Sequence, residues 1–311
     1  MMTVLIIGAG ALGTYFGGKL IQEGVPVTFL VRSGRYQQIQ NDGLVVRSVH
    51  GDFRLNPPIL QHISPTTHYD VVFLTVKSYH LPNLWDTLDQ LVSQGSVIIP
   101  FLNGVAHMDE LLTRYGPEHV LGGICYTEAT LLPSGVVEQT SPMQELVVGS
   151  VSGKIPGVVG SLREAFARQG VQFTESQSIM TDMWIKYIFL VVFSAATTVF
   201  RSSIGDILAD EQSASWLSYA LEETITVAKS LNVALPEHVY SRIWNRIQSL
   251  PLSMTSSMFK DSQRGYPLEV EHLQGYLARQ AWTHHVQIPR METAYWALRP
   301  LALGQNIAKM A

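Results

Sequence analysis

Gly8, Gly10 and Gly13 are spaced to hold a phosphate. They fill the three glycine places of G-x-G-x-x-G in Gly8-Ala9-Gly10-Ala11-Leu12-Gly13. The run before them, Val4-Leu5-Ile6-Ile7, reads as a buried strand, and residues 14–23 read as a helix. Strand, glycine turn and helix together form a dinucleotide cradle. Gly8 permits the tight turn. Gly10 has no Cβ, so a pyrophosphate can approach the backbone. Gly13 lets the helix pack close to the strand. The helix N-terminus adds unpaired N–H groups and the positive end of its dipole.

The second strand selects between dinucleotides. An NAD site usually carries Asp or Glu at the end of that strand, where it accepts from the ribose 2′-OH. Here residues 25–31 form the strand, and Arg32 follows, with Ser33 and Arg35 behind it. A guanidinium in place of an acid suits a 2′-phosphate and predicts NADP. Lys77 ends the apolar strand 71–76, and Asn103-Gly104 follow the strand 96–101. Gly8, Arg32, Lys77 and Asn103 thus all fall at strand C-termini, where ligands of open α/β sheets bind.

Further on, Lys186 begins a helix whose next turns are almost entirely apolar. A lysine so placed is costly unless it faces a cleft or a partner, and beside a carboxylate it can act as a general acid. The competing reading is a lysine that snorkels to solvent. Ser256-Ser257-Met258 and Asp261 precede Glu269-Val270-Glu271. Carboxylates on the first turn of a helix also serve its dipole, so their type alone does not make them catalytic.

The elements that must position these residues follow from periodicity. The first half alternates continuous apolar strands with helices over residues 83–91 and 107–115, the pattern of a parallel sheet covered on both faces. Residues 44–47 and 53–55 suggest a hairpin around His50-Gly51-Asp52. Residues 120–151 hold three strand-like runs and predict an antiparallel extension of the sheet; residues 171–173 form a last short strand. After about residue 176 only helical periodicity remains, over 181–200, 212–231, 236–249, 269–285 and 289–303. The expected fold is α/β: an NADP-binding Rossmann-type domain over residues 1–175, then an all-α domain for substrate and dimerisation over 176–311.

Composition narrows the classes. The chain has 311 residues, 46% hydrophobic and 15% charged, enough for two domains with sizeable cores. A formal charge of −4 gives no electrostatic case for nucleic acid or an anionic membrane. The single cysteine, Cys125, cannot form an internal disulfide, which fits a reducing, cytoplasmic setting. His284 and His285 are adjacent and point apart on a helix, so no metal-ligand spacing is read. The N-terminus lacks the basic region of a signal peptide. The most apolar segment, 187–200, is shorter than the roughly 18 residues of a membrane span and reads as a core helix. The apolar helical half is compatible with a homodimer.

Gly8-Ala9-Gly10-Ala11-Leu12-Gly13, Arg32, Thr75-Val76-Lys77, Leu102-Asn103-Gly104, Trp184-Ile185-Lys186, and Ser257-Met258 with Asp261 and Glu269 downstream, in this order and spacing, resemble the ketopantoate reductase (2-dehydropantoate 2-reductase) family over essentially the whole chain. The resemblance implies a Rossmann-type domain followed by a helical domain like the C-terminal domain of 6-phosphogluconate dehydrogenase, with the active site in the cleft. It implies NADPH-dependent reduction of a small 2-oxo acid to a 2-hydroxy acid, above all 2-dehydropantoate to pantoate in pantothenate biosynthesis. By the same resemblance Lys186 is the catalytic lysine that protonates or polarises the substrate oxygen. Glu269 hydrogen-bonds the substrate and supports the lysine. Ser257 lies near the substrate carboxylate, Asn103 between nicotinamide and substrate, and Lys77 and Arg32 in the cofactor pocket. The family commonly has asparagines four and eight residues after the lysine; here Leu190 and Ser194 stand there, Ser194 remaining a candidate substrate ligand. Gln274-Gly275 stands where the family usually reads Asn-Gly. Two other readings share the architecture: an opine-type or other hydroxy-acid dehydrogenase, and a non-catalytic NADPH-binding sensor.

Overall fold

The computed structural model describes residues 2–303. The described residues form two compact units, 2–102 with 108–179, and 103–107 with 180–303. The short segment Asn103–His107 therefore groups with the helices that follow residue 180.

The first stretch runs β1 (Val4–Ile7), α1 (Ala11–Gln22), β2 (Val27–Leu30), α2 (Ser33–Asp42), β3 (Leu44–Ser48), β4 (Phe53–Leu55), β5 (Ile59–Leu60) and β6 (Val71–Leu74). It continues through α3 (Trp85–Ser93), β7 (Val97–Pro100), α4 (Ala106–Tyr115), β8 (Leu121–Tyr126), β9 (Ala129–Leu131), β10 (Val136–Gln139), β11 (Glu145–Ser150), α5 (Val158–Arg168) and β12 (Gln172–Glu175).

A five-stranded sheet ordered β5-β2-β1-β6-β7 is parallel throughout. All residues of β1, β6 and β7 are buried, as two covered faces require. Each large aliphatic side chain so buried contributes about 1.5–3 kcal/mol. The chain leaves β1 toward β2 on one side and later adds β6 and β7 on the other. That reversal makes the end of β1 a topological switch point, the usual place for a ligand. Gly8 stands there.

The expected antiparallel extension divides in two. β8 and β11 are antiparallel, but β12 joins β11 in parallel. β9 and β10 instead pair with the β3–β4 hairpin in a separate four-stranded sheet, β10 running parallel to β3. Strand-like runs specify a half-buried pleat but not its partner, so local pattern did not separate the two sheets.

The helical unit contains α6 (Ile179–Phe200), α7 (Ile204–Ala209), α8 (Glu211–Ser230), α9 (Val239–Gln248), α10 (Ser257–Gln263), α11 (Gln274–Thr283) and α12 (Pro289–Leu298). α6 is the one described helix long and apolar enough to cross a membrane, and 72% of its apolar window is buried within the protein. It is a core helix. Glu223 on α8 ties α12 in place: its carboxylate accepts from the Arg290 and Met291 N–H groups at 3.0–3.2 Å and from the Arg290 guanidinium at 3.1 Å. A carboxylate at a helix N-terminus satisfies orphan donors and favours the dipole.

Two of the shifted helix boundaries bear on candidate residues. α6 starts at Ile179, so Lys186 lies two turns inside it rather than at its beginning. α11 starts at Gln274, so Glu269 and Glu271 precede the helix instead of occupying its first turn. The Glu269 carbonyl accepts from the His272 and Leu273 N–H groups at 3.2 and 3.0 Å, closing a turn there.

Candidate active site

The glycine turn is held by its neighbours. The Gly8 N–H donates to Leu30 O on β2 at 3.0 Å, and Thr75 Oγ1 lies 2.7 Å from Gly8 O, at the end of β6. Gly8 has φ +100°, a left-handed backbone, and a Cβ there would meet Val76 Cγ1 at 2.9 Å. A Cβ at Gly13 would stand 2.1 Å from Gly8 O and 2.5 Å from Thr75 Oγ1. Chain packing thus accounts for both. Gly10 is different. Its φ is −76°, which any residue adopts, and a Cβ would meet nothing nearer than Thr75 O at 3.9 Å. Nothing among the described residues requires a glycine at position 10. Gly10 is also the N-cap of α1 and offers no side chain to the first-turn N–H groups, which leaves them for a ligand. A bare backbone at a helix N-terminus fits a dinucleotide pyrophosphate. Ala9 is buried, while Ala11 and Leu12 are half-buried on the first turn.

Arg32 is exposed, just beyond β2, and is the N-cap of α2, a helix that the sequence pattern did not reveal. Arg35, expected beside it, is used within the protein. Its Nε donates to Ala9 O at 2.9 Å, and its Nη1 donates to Gln38 Oε1 at 2.6 Å and Gly135 O at 3.0 Å. Burial pulls its pKa down. Arg35 therefore braces the glycine turn, whereas Arg32 and Ser33 are exposed at the start of α2. Lys77 is half-buried, three residues past β6.

The second group of side chains lies in the helical unit. Asn103 is half-buried. Gly104 has φ +85°, and a Cβ there would meet Leu273 Cδ2 at 3.0 Å and His272 O at 3.4 Å. The Asn103-Gly104 turn is thus pressed onto the His272-Leu273 turn. Tyr187 fixes that turn to α6 by donating to Leu273 O at 2.8 Å. His107 is 1% exposed, and its Nε2 is buried without a protein hydrogen-bond partner. Its pKa is pushed down to about 3, chiefly by burial; Glu269 opposes this, while His272 and Lys186 add to it. One imidazole therefore feels Lys186, Glu269 and His272 together. Glu269 is 6% exposed, and Lys186 is half-buried. A buried carboxylate and a lysine within a core helix are expensive to place and mark a site.

Two other candidates stand differently. Ser257 is exposed at the first position of α10, and its neighbour Ser256 is the buried N-cap, accepting from Phe259 N at 3.1 Å with Thr197 Oγ1 at 2.8 Å. Ser194 is 1% exposed. Its hydroxyl donates to Val191 O at 3.2 Å and accepts from Gln274 Nε2 at 2.9 Å.

The ketopantoate reductase PanE/ApbA family matches residues 4–153, and its C-terminal companion matches residues 178–302. The chain belongs to the ketopantoate reductase family. An oxidoreductase of Bacillus subtilis, YkpB, is 33% identical over 94% of this chain and 97% of its own. The crystal structure of 2-dehydropantoate 2-reductase from Methylococcus capsulatus has a TM-score of 0.85 at 23% identity, covering 96% of each chain. A D-mandelate dehydrogenase solved with NADH and anilino(oxo)acetate has a TM-score of 0.87 at 18% identity, covering 97% of this chain and 98% of that one. The ketopantoate reductase fold, a Rossmann-like parallel-sheet domain followed by a helical domain, is the fold described above.

Sequence reasoning missed His107, His272 and the bracing role of Arg35. An isolated histidine carries no spacing signal. The proximity of Asn103-Gly104 offered a clue only once Gly104 was known to touch His272.

Proposed function

We propose that this ketopantoate reductase family member reduces a 2-oxo acid to a 2-hydroxy acid with NADPH, 2-dehydropantoate being the first substrate to test. The observation that carries this reading is Lys186, half-buried in a core helix of the same compact unit as the buried Glu269 and the enclosed His107. Gly10, which protein packing leaves unexplained, supports a dinucleotide. Arg32, where an acid would mark NAD, supports NADPH. The NADH of the mandelate dehydrogenase structure supports a nicotinamide cofactor without selecting between the two.

Gly8 to Gly13 and Lys77 would hold the dinucleotide, and Arg32 its 2′-phosphate. When bound, the reduced nicotinamide supplies the hydride that forms the new C–H bond at the keto carbon. Lys186 Nζ donates the proton that the carbonyl oxygen takes as negative charge develops there. Glu269 orients the lysine and accepts from the product hydroxyl. Asn103 and Ser257 are assigned to the carbonyl and carboxylate ends of the substrate.

The test is NADPH oxidation against 2-dehydropantoate and a panel of branched 2-oxo acids, with wild type and Lys186→Ala. Turnover that falls at least about a hundredfold in the variant supports the assignment. Near-full turnover in Lys186→Ala would remove the lysine from the mechanism. Bound NADPH with no oxidation across the panel would favour the sensor.

A further inference from the structure

We infer that the preferred substrate is a 2-oxo acid whose side chain carries no hydroxyl, a conclusion that rests on the oxo-acid reading above. It follows from the α6 face that continues from Lys186. Side chains four and eight residues along a helix stay on nearly the same face. From Lys186 these are Leu190, half-buried, and Ser194. Leu190 has no polar group to offer.

Ser194 has one and has already used it. Its hydroxyl donates to Val191 O and accepts from Gln274 Nε2, and the residue is 1% exposed. Gln274 is equally enclosed. Its amide nitrogen serves Val191 O at 3.1 Å and Ser194 Oγ at 2.9 Å. The polar groups of this strip therefore bind one another across α6 and α11 and close it. Among the described residues Gln274 Oε1 has no protein partner, nor has Thr198 Oγ1 one turn beyond Ser194, and both are buried. A substrate side chain lying along α6 beyond the lysine meets Leu190 first, and the Ser194 hydroxyl and Gln274 amide nitrogen that follow are already paired with each other.

Magnitudes make the inference testable. A site built to bind a hydroxyl rejects the analogue lacking it by about 10⁴–10⁵, whereas an apolar site disfavours an added hydroxyl by only about 10². The comparison is 2-dehydropantoate against 3,3-dimethyl-2-oxobutanoate, the same skeleton without its hydroxyl. We expect kcat/KM to favour the hydroxyl-free acid by about ten- to a hundredfold. Parity, or a preference for 2-dehydropantoate, would overturn the inference while leaving oxo-acid reduction standing. Turnover of neither acid, nor of other 2-oxo acids, by folded protein that binds NADPH would overturn both.

Two variants locate the effect, each read as the ratio between the two acids so that a general loss of activity cancels. Leu190→Asn should move the ratio toward 2-dehydropantoate by about tenfold or more, since it adds an amide one turn from Lys186. Ser194→Ala should move it by less than about threefold, because that hydroxyl is not offered to substrate. A tenfold shift in Ser194→Ala, or a preference for 2-dehydropantoate that Gln274→Leu abolishes, would show that the strip reads a hydroxyl after all and would refute the sealed face.

Discussion

His107 registers what the candidate site does to a single side chain. An imidazole ordinarily titrates near 6.5, and this one is held down to about 3 by burial, so it is neutral in the folded protein at any working pH. The unfolded chain binds a proton at His107 below about pH 6.5, and the folded chain does not until about pH 3. Stability from this residue is therefore full above pH 6.5 and is lost as pH falls toward 3. Between pH 8 and 5 the loss is about 2 kcal/mol. Urea unfolding of His107→Gln across that range should show a flatter pH dependence than wild type by about this amount. An unchanged slope would mean that His107 is not the group responsible. Residues at this scale were legible in the sequence only when they came as a set. Lys186, Glu269, Asn103 and Ser257 emerged through the family resemblance, where order and spacing carried them. His107 and His272 have no pattern of their own, because their significance is a three-dimensional meeting of the 103–107 and 269–273 segments.

The glycine turn is an element in which one motif serves two masters. Gly8 and Gly13 are dictated by the chain itself, whereas packing leaves Gly10 free and the proposed dinucleotide would account for it. Alanine substitution should separate these roles. Gly13→Ala drives a Cβ into Gly8 O and Thr75 Oγ1, and we expect a loss of about 3 kcal/mol or more, measured by chemical unfolding. Gly10→Ala should stay within about 1 kcal/mol of wild type, the difference between glycine and alanine at an N-cap, yet weaken NADPH binding at least about tenfold by fluorescence titration. Unchanged binding in Gly10→Ala would deny the bare backbone its role. The sequence disclosed this element because everything that defines it is contiguous: an apolar strand, the turn and a helix. The parallel strands were legible for the same reason. The pairing of β10 with β3 was not, since it joins residues about 90 apart whose local pattern fits several neighbours. The start of α11 escaped because apolar periodicity continues back through Leu268 and Val270, although the backbone there is a turn.

On the scale of the whole molecule, a net charge of −4 opposes a polyanionic cofactor, so affinity must come from local groups that overcome it. The proposed groups differ in kind. The pyrophosphate is assigned to backbone N–H groups and the α1 dipole, enclosed by the turn. The 2′-phosphate is assigned to Arg32, an exposed full charge. Dissolved salt screens the second far more than the first. Raising sodium chloride from about 0.02 M to about 0.5 M shortens the Debye length from about 20 Å to about 4 Å. The KM for NADPH should then rise by up to about fivefold relative to that for NADH, the range that an exposed ion pair provides. Arg32→Ala should make the two cofactors respond alike, at a low-salt KM for NADPH raised by the same factor. An equal salt response of NADPH and NADH in the wild type would place the discrimination elsewhere than Arg32. It would also leave the absence of an acid after β2, rather than the presence of a base, as what admits the 2′-phosphate.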